Sequence, residues 1–185
     1  MADSPAHDFT EKQLTSKLVY GGKLLRVFED TASLPDGTTG TREYIRHPGA
    51  VIMLALLDDE TVLFERQFRY PLGRHFYELP AGKIDPGEEP LATAKRELVE
   101  ECGYEAKSWQ HLTTLHPCIG YSDERIELFL ARDLIHVGHE RDAGEFLEVV
   151  PLKVNEALDW IAQGRITEVK AIIGLLWLEC FVRGR

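Results

Sequence analysis

The sequence has 185 residues, of which 44% are hydrophobic, and its formal net charge at pH 7 is −10. This length suits one domain, or two small ones, with a sizeable core. The acidic charge opposes binding to phosphate-rich surfaces, so we expect neither a nucleic-acid partner nor membrane binding. The three cysteines include no Cys-x-x-Cys pair, which indicates neither a disulfide framework nor a structural zinc site.

The N-terminal part of the chain predicts a tail followed by strands. Residues 1–16 are polar, lack the apolar stretch of a secretory signal, and are predicted to form a flexible tail. Residues 17–47 are predicted to form a strand region, with a hairpin turn at Pro35-Asp36-Gly37. The longest apolar run, Ala50–Leu57, is far shorter than a membrane span, so we expect a cytoplasmic protein.

Residues 48–185 are predicted to form the main domain. A helix over Pro90–Cys102 begins with proline, precedes a capping glycine, and should turn Leu91, Ala94 and Leu98 towards the core. Further strands and helices are predicted at Val51–Leu57, Thr61–Gln67, Trp109–Leu115, Arg125–Ala131, Glu145–Val150, Lys153–Gln163 and Glu168–Phe181, the last with Thr167 as N-cap. This order predicts an α/β (α+β) fold, with a mixed sheet between helices and an antiparallel N-terminal strand region.

Three glutamates of the first predicted helix carry the clearest chemical signal. Glu97, Glu100 and Glu101 are spaced i, i+3 and i+4, so their carboxylates share one helix face. Like charges at this spacing destabilise a helix unless they are compensated, and a divalent cation with oxygen ligands would compensate them. Taken alone, these three residues favour a solvated acidic helix face over a metal site.

The residues around these glutamates match the Nudix box, Gly-x5-Glu-x7-Arg-Glu-U-x-Glu-Glu-x-Gly-U, in which U is a bulky apolar residue. The chain has Gly82 and Glu88, followed by the run from Arg96 to Gly103, and it matches every fixed position of the box. Tyr104 replaces the usual aliphatic residue at the last position. The chain therefore resembles Nudix hydrolases, and this resemblance implies the Nudix fold and a bound Mg²⁺ or Mn²⁺.

The resemblance also implies roles for individual residues of the box. It implies that Glu97, Glu101 and the backbone carbonyl of Ala81 bind the metal, with Glu100 as a direct or water-mediated ligand. It implies that Glu88 and Arg96 orient these ligands, so we group Arg96 and Glu100 with the catalytic residues. This division suits a metal that lies between two phosphates, because such a metal neutralises charge and activates water.

Segments that flank the box resemble the ADP-ribose pyrophosphatase branch of the family. They include His47–Val51, Glu65–Pro71 and Tyr77–Gly82. The branch implies hydrolysis of ADP-ribose to AMP and ribose 5-phosphate. GDP-mannose or another sugar nucleotide is the alternative substrate. Outside the enzyme class, the alternative is a regulatory module that binds a nucleotide sugar without cleaving it.

Four residues are predicted to bind substrate: Arg69, Glu78, Pro117 and Glu124. Arg69 could offer two parallel hydrogen bonds to a phosphate, or it could form a surface salt bridge. Glu78 could accept hydrogen bonds from a base or ribose, or it could pair with Arg69. Pro117 and Glu124 flank a turn that is rich in proline and glycine in relatives. Here Cys118 and Ile119 separate the proline from the glycine, which bears on substrate identity more than on reaction type.

The resemblance further implies a catalytic base on a late loop and a homodimer. Glu145 is the predicted base, because it stands just before Phe146 as the base does in this branch, and Glu140 is the alternative. If neither serves, the base would be a glutamate of the Nudix helix. Residues 17–47 correspond to strands that relatives use to form dimers with shared active sites, so we expect a homodimer.

Overall fold

The structure is a computed structural model that describes residues 7–138, 144 and 146–184. The chain divides into two units, one with the residues up to His47 together with Cys118–Glu124, and one with Pro48–Pro117 and the residues from Arg125 onward. Both glutamates predicted to act as the base, Glu145 and Glu140, lie outside the described residues.

The first unit is built on a three-stranded antiparallel sheet. Its strands are β1 (Lys12–Gly21), β2 (Arg26–Ser33) and β3 (Thr39–Ile45), in the order β1-β2-β3. The segment 118–124 joins this unit through a hydrogen bond of 2.9 Å from the Ile45 amide to the Tyr121 carbonyl. β1 begins inside the segment predicted as a tail. Its side chains are all exposed and backbone pairing with β2 holds it, so no apolar pattern marks its start.

A mixed sheet of seven strands forms the second unit. The strands are β4 (Ala50–Asp58), β5 (Thr61–Arg69), β6 (Arg74–Glu78), β7 (Ala81–Lys83), β8 (Tyr104–Leu115), β9 (Ile126–His136) and β10 (Leu147–Lys153). The main order is β10-β5-β4-β9-β8, and only β4 and β9 run parallel among these described pairs. β4 and β5 pair only near their shared turn, beyond which β5 pairs with β6 and β4 pairs with β7.

Helices cover both faces of this sheet. They are α1 (Pro90–Glu97), α2 (Val154–Ala162) and α3 (Val169–Trp177). One apolar core joins the sheet to α2 and α3, and a second core joins its other face to α1. The alternating burial of β9 explains this arrangement, because Leu128 packs in the first core and Phe129 in the second. The predicted mixed sheet between helices is confirmed.

The first predicted helix has two parts. α1 ends at Glu97 and continues as a π-helical turn over Leu98–Cys102, which Gly103 terminates with a φ of 78°. Single π-helical turns inside helices occur frequently at functional sites. Ala94 and Leu98 are fully buried as predicted, whereas Leu91 is exposed, because it lies in the first turn and outside the core that α1 covers.

The last helix differs from the prediction at its start. Glu168, and not Thr167, is the N-cap of α3, since the Glu168 carboxylate accepts a hydrogen bond of 2.8 Å from the Ala171 amide. Thr167 accepts a hydrogen bond from Arg74 instead. Across the described ranges, no helix has both the length and the apolar character that a membrane span requires.

Candidate active site

The carboxylates of the Nudix helix converge on the short strand β7. The Glu97 carboxylate lies so close to Gly82 that a Cβ atom at this glycine would overlap it. The Ala81 amide donates a hydrogen bond of 3.1 Å to Oε2 of Glu101, which is a buried carboxylate. Two residues predicted to bind metal therefore lie against β7, Glu97 at Gly82 and Glu101 at Ala81, and the Ala81 carbonyl is predicted to supply the third ligand. A side chain at Gly82 would displace the Glu97 carboxylate from this position.

Arg96 holds the acidic side chains of this region together. Its Nε and Nη2 atoms donate to the two oxygens of Glu88, at 3.2 and 3.0 Å. Its Nη1 atom donates to Glu97 at 3.0 Å and to Glu100 at 2.8 Å. The like charges that the sequence crowds on one helix face are thus partly compensated by a guanidinium within the same helix.

Glu88 is held by hydrogen bonds from both Arg96 and Thr93. Hydrogen bonds from Arg96, and a further one of 2.8 Å from the Thr93 hydroxyl, lower the pKa of Glu88 to about 2. The bond to Glu88 is also the largest cause of the raised pKa of Arg96. This geometry suits the orienting role predicted for Glu88 and Arg96, because an ionised, hydrogen-bonded pair keeps its neighbours in place.

The donor atoms of this region suit a hard divalent cation, although they do not form a closed cage. Within the described ranges, no three His, Cys, Asp or Glu side chains are already arranged around one point. Mg²⁺ does not require such a cage, since it commonly binds one or two carboxylates and completes its shell with water and substrate phosphates. The carboxylates of Glu97, Glu100 and Glu101 offer the oxygen ligands that Mg²⁺ and Mn²⁺ accept.

Arg69 and Glu78 form a two-point ion pair where the sheet opens between β5 and β4. Nε of Arg69 donates to Oε1 of Glu78 at 2.6 Å, and Nη2 donates to Oε2 at 2.9 Å. Glu78 is 4% exposed, and its bonds to Arg69 are the main cause of the raised pKa of that guanidinium. The sequence left open whether Glu78 binds substrate or pairs with Arg69, and the structure contains the pair with Arg69. Nη1 of Arg69 still points to no described partner and can serve a phosphate.

Pro117 and Glu124 belong to different units. Pro117 lines a cavity of about 330 Å³ in the second unit, between the end of β8 and the start of α3. This volume lies near the lower end of the range for small-molecule sites, and its walls are mainly apolar. Glu124 belongs to the first unit, where its carboxylate lies 3.8 Å from Nδ1 of His47.

Sequence reasoning did not assign roles to several residues around the site. Glu65 is buried on β5 and accepts a hydrogen bond of 3.2 Å from the Cys102 thiol in the π-helical turn. A glutamate directly after the apolar run Val62–Phe64 was the available signal, because buried glutamates are rare unless they are paired. Lys170 pairs with Glu168 and also lies 3.8 Å from Glu78, and this second contact joins residues about ninety positions apart in the chain.

Comparisons with known proteins agree with this geometry. The NUDIX domain family matches residues 46–170. The chain is 36% identical over 171 residues to an ADP-ribose pyrophosphatase of Bacillus subtilis, which covers 91% of this chain and 92% of that relative. It is 35% identical over 173 residues to a methanol dehydrogenase activator of Bacillus methanolicus, with coverages of 92% and 94%. The crystal structure of an ADP compounds hydrolase has the same fold, with a TM-score of 0.86, 22% identity and coverages of 97% and 98%.

The chain therefore belongs to the Nudix family and is a Nudix pyrophosphohydrolase. The predicted family, and the predicted similarity to the ADP-ribose pyrophosphatase branch, are confirmed.

Proposed function

We propose that this chain hydrolyses ADP-ribose to AMP and ribose 5-phosphate with the help of Mg²⁺ or Mn²⁺. The observation that carries the reaction type is the convergence of Glu97 and Glu101 on the Ala81–Gly82 backbone, with Arg96 holding Glu97 and Glu100. The observation that favours the substrate is the similarity to an ADP-ribose pyrophosphatase over nine-tenths of the chain.

In this proposal, water adds across the diphosphate. The water oxygen forms a bond to one phosphorus, the bond from that phosphorus to the bridging oxygen breaks, and a base takes the proton that the water loses. Glu97, Glu101 and the Ala81 carbonyl, with Glu100, would hold the cation, which supplies charge neutralisation and polarises the phosphoryl oxygen. Arg69 binds a phosphate oxygen through Nη1 while Glu78 fixes its other edge. Glu145 is the proposed base, with Glu140 as the alternative.

Two other functions have a specific point in their favour. The altered turn after Pro117 favours a different sugar nucleotide, such as GDP-mannose, because this turn bears on the group beyond the diphosphate. The similarity to a methanol dehydrogenase activator favours a role in regulating another protein. The second role does not require loss of hydrolysis, since the chain keeps every fixed residue of the Nudix box.

The experiment that tests the proposal compares substrates. Purified protein with Mg²⁺ is incubated separately with ADP-ribose, GDP-mannose and NADH, and the released nucleoside monophosphate is quantified by chromatography. We expect AMP from ADP-ribose with the highest kcat/KM. A higher kcat/KM for GDP-mannose would transfer the function to that substrate, and no release from any of the three would contradict hydrolysis of nucleotide sugars.

We also propose a cytoplasmic homodimer. β1 lies at one edge of the first unit's sheet, and it exposes the apolar side chains of Leu14, Leu18 and Tyr20. An exposed strand edge with apolar side chains is suited to pairing with a second chain. The three cysteines are free thiols, which agrees with a reducing compartment.

A further inference from the structure

Lys170 lies between two acidic residues at the start of α3. Its Nζ atom is 2.5 Å from Oε1 of Glu168 and 3.8 Å from Oε2 of Glu78. Glu168 is itself anchored, because its other oxygen caps the helix through the Ala171 amide. The position of the ammonium group is therefore determined by the helix end and does not depend on a flexible side chain alone.

Successive ion pairs link four side chains of alternating charge: Glu168, Lys170, Glu78 and Arg69. Glu78 is buried. It accepts two hydrogen bonds from Arg69, and it forms a longer ionic contact with Lys170. Because Glu78 pairs with Lys170 as well as with Arg69, one carboxylate is shared between two cations, and Arg69 is less completely neutralised than in an isolated pair. A less neutralised guanidinium attracts a phosphate oxygen more strongly at its remaining edge.

Lys170 also lines the cavity that contains Pro117. The cavity walls come from the end of β8, the first residue of β9 and the first turn of α3. Ile126 in this wall is paired with Ala50, which is in turn paired with Lys83 of β7. β9 in the cavity wall is thus two strand spacings, about 10 Å, from β7, the strand that the Nudix glutamates approach. Lys170 stands between this cavity and the Arg69–Glu78 pair.

From this arrangement we propose that Lys170 is a positioning residue, which acts through Glu78 to fix the phosphate-binding edge of Arg69. The inference rests on the proposed function, because it assigns Arg69 to the substrate diphosphate. It adds a residue that the Nudix box does not contain and that lies some seventy positions after it. Lys170 does not take part in proton transfer, so its loss should weaken substrate binding more than turnover.

The test uses two substitutions of Lys170 and a matched control. Lys170→Met removes the charge and keeps much of the side-chain volume, and Lys170→Arg retains the charge. The control is Arg183→Met, which removes an ion pair of 3.1 Å to Glu179 with similarly low exposure, far along the chain from the Nudix box. For Lys170→Met we expect KM for ADP-ribose to rise about tenfold while kcat changes little. Lys170→Arg should have a KM close to that of the wild-type protein, and Arg183→Met should leave KM unchanged.

Repeating the substitution in a protein that already carries Arg69→Lys shows whether Lys170 acts by positioning Arg69, by contacting the substrate directly or by stabilising the fold. In protein that already carries Arg69→Lys, Lys170→Met should have almost no further effect on KM, because the group that Lys170 positions is gone. An undiminished effect in that background would overturn the inference. An effect of Lys170→Met no greater than that of Arg183→Met would overturn it as well.

A binding measurement makes this test independent of which substrate the protein hydrolyses. The quantity measured is the dissociation constant of ADP, by calorimetry with Mg²⁺ present. The inference predicts that Lys170→Met weakens ADP binding about tenfold in wild-type protein but not in Arg69→Lys protein. If the wild-type protein failed to hydrolyse ADP-ribose, the proposed function would fail, whereas ADP binding would still decide the role of Lys170. Unchanged ADP binding in Lys170→Met would contradict that role.

Discussion

The absence of a side chain at Gly82 leaves the space against β7 that the Glu97 carboxylate occupies. Replacing it with alanine places a methyl group where the Glu97 carboxylate lies, so the carboxylate or the strand has to move. A shift of about 1 Å at a catalytic site can cost about 100-fold in rate. We therefore predict that Gly82→Ala lowers kcat/KM for ADP-ribose by about this factor, as measured by steady-state kinetics.

Gly40→Ala provides the matched control for this prediction. The atoms nearest to a Cβ atom at Gly40 would be the ends of the flexible Arg42 and Leu34 side chains, at 3.2 Å or more, so the protein should keep its activity. If Gly82→Ala were as active as Gly40→Ala, Glu97 would not need the position against β7 that the structure gives it.

Glu145 is the residue whose role is tested most directly by kinetics. A general base contributes about 10²- to 10⁴-fold to the rate. We predict that Glu145→Gln lowers kcat within this range with little change in KM, because the base acts in the transition state. A normal kcat for Glu145→Gln with a low kcat for Glu140→Gln would move the assignment to Glu140. Normal values for both would place the base in the Nudix helix.

Among the helices and strands, the cap of α3 provides a stability prediction. Glu168→Ala removes the carboxylate that accepts from the Ala171 amide, and loss of such an N-cap costs about 1 kcal/mol. Thr167→Ala should cost much less, because its hydroxyl binds an exposed arginine and caps no helix. Urea denaturation of both variants measures the difference. Equal losses of unfolding free energy would contradict the assignment of Glu168 as the cap.

The elements that could be predicted from sequence are those marked by local patterns. The Nudix glutamates, Gly103 and the apolar strands β4 and β5 are examples, because spacing and composition determine them within a few residues. β1 and the contact of Lys170 with Glu78 could not be predicted in this way. They depend on pairing between distant segments, which leaves no periodic signal in either segment. The π-helical turn after Glu97 was also missed, since its residues have the same apolar spacing as an ordinary helix.

For the whole molecule, the expected dimer gives a prediction about assembly. The wild-type protein should have twice the chain mass by light scattering at micromolar concentration. Leu18→Lys places a charge among the exposed apolar residues of β1 and should produce monomers with reduced activity. Leu57→Lys changes an exposed leucine of the second unit and serves as the control. A wild-type protein that is monomeric and fully active would contradict the dimer.

The central claim is that the carboxylates gathered at β7 act by holding a divalent cation for diphosphate hydrolysis. The most direct measurement is AMP release from ADP-ribose by wild-type, Glu97→Gln and Glu101→Gln proteins, each with excess Mg²⁺ and with excess EDTA. We predict that EDTA or either substitution lowers the wild-type rate by about 100-fold or more, while circular dichroism shows an unchanged fold. Full turnover in EDTA, or wild-type rates in both variants, would contradict the claim.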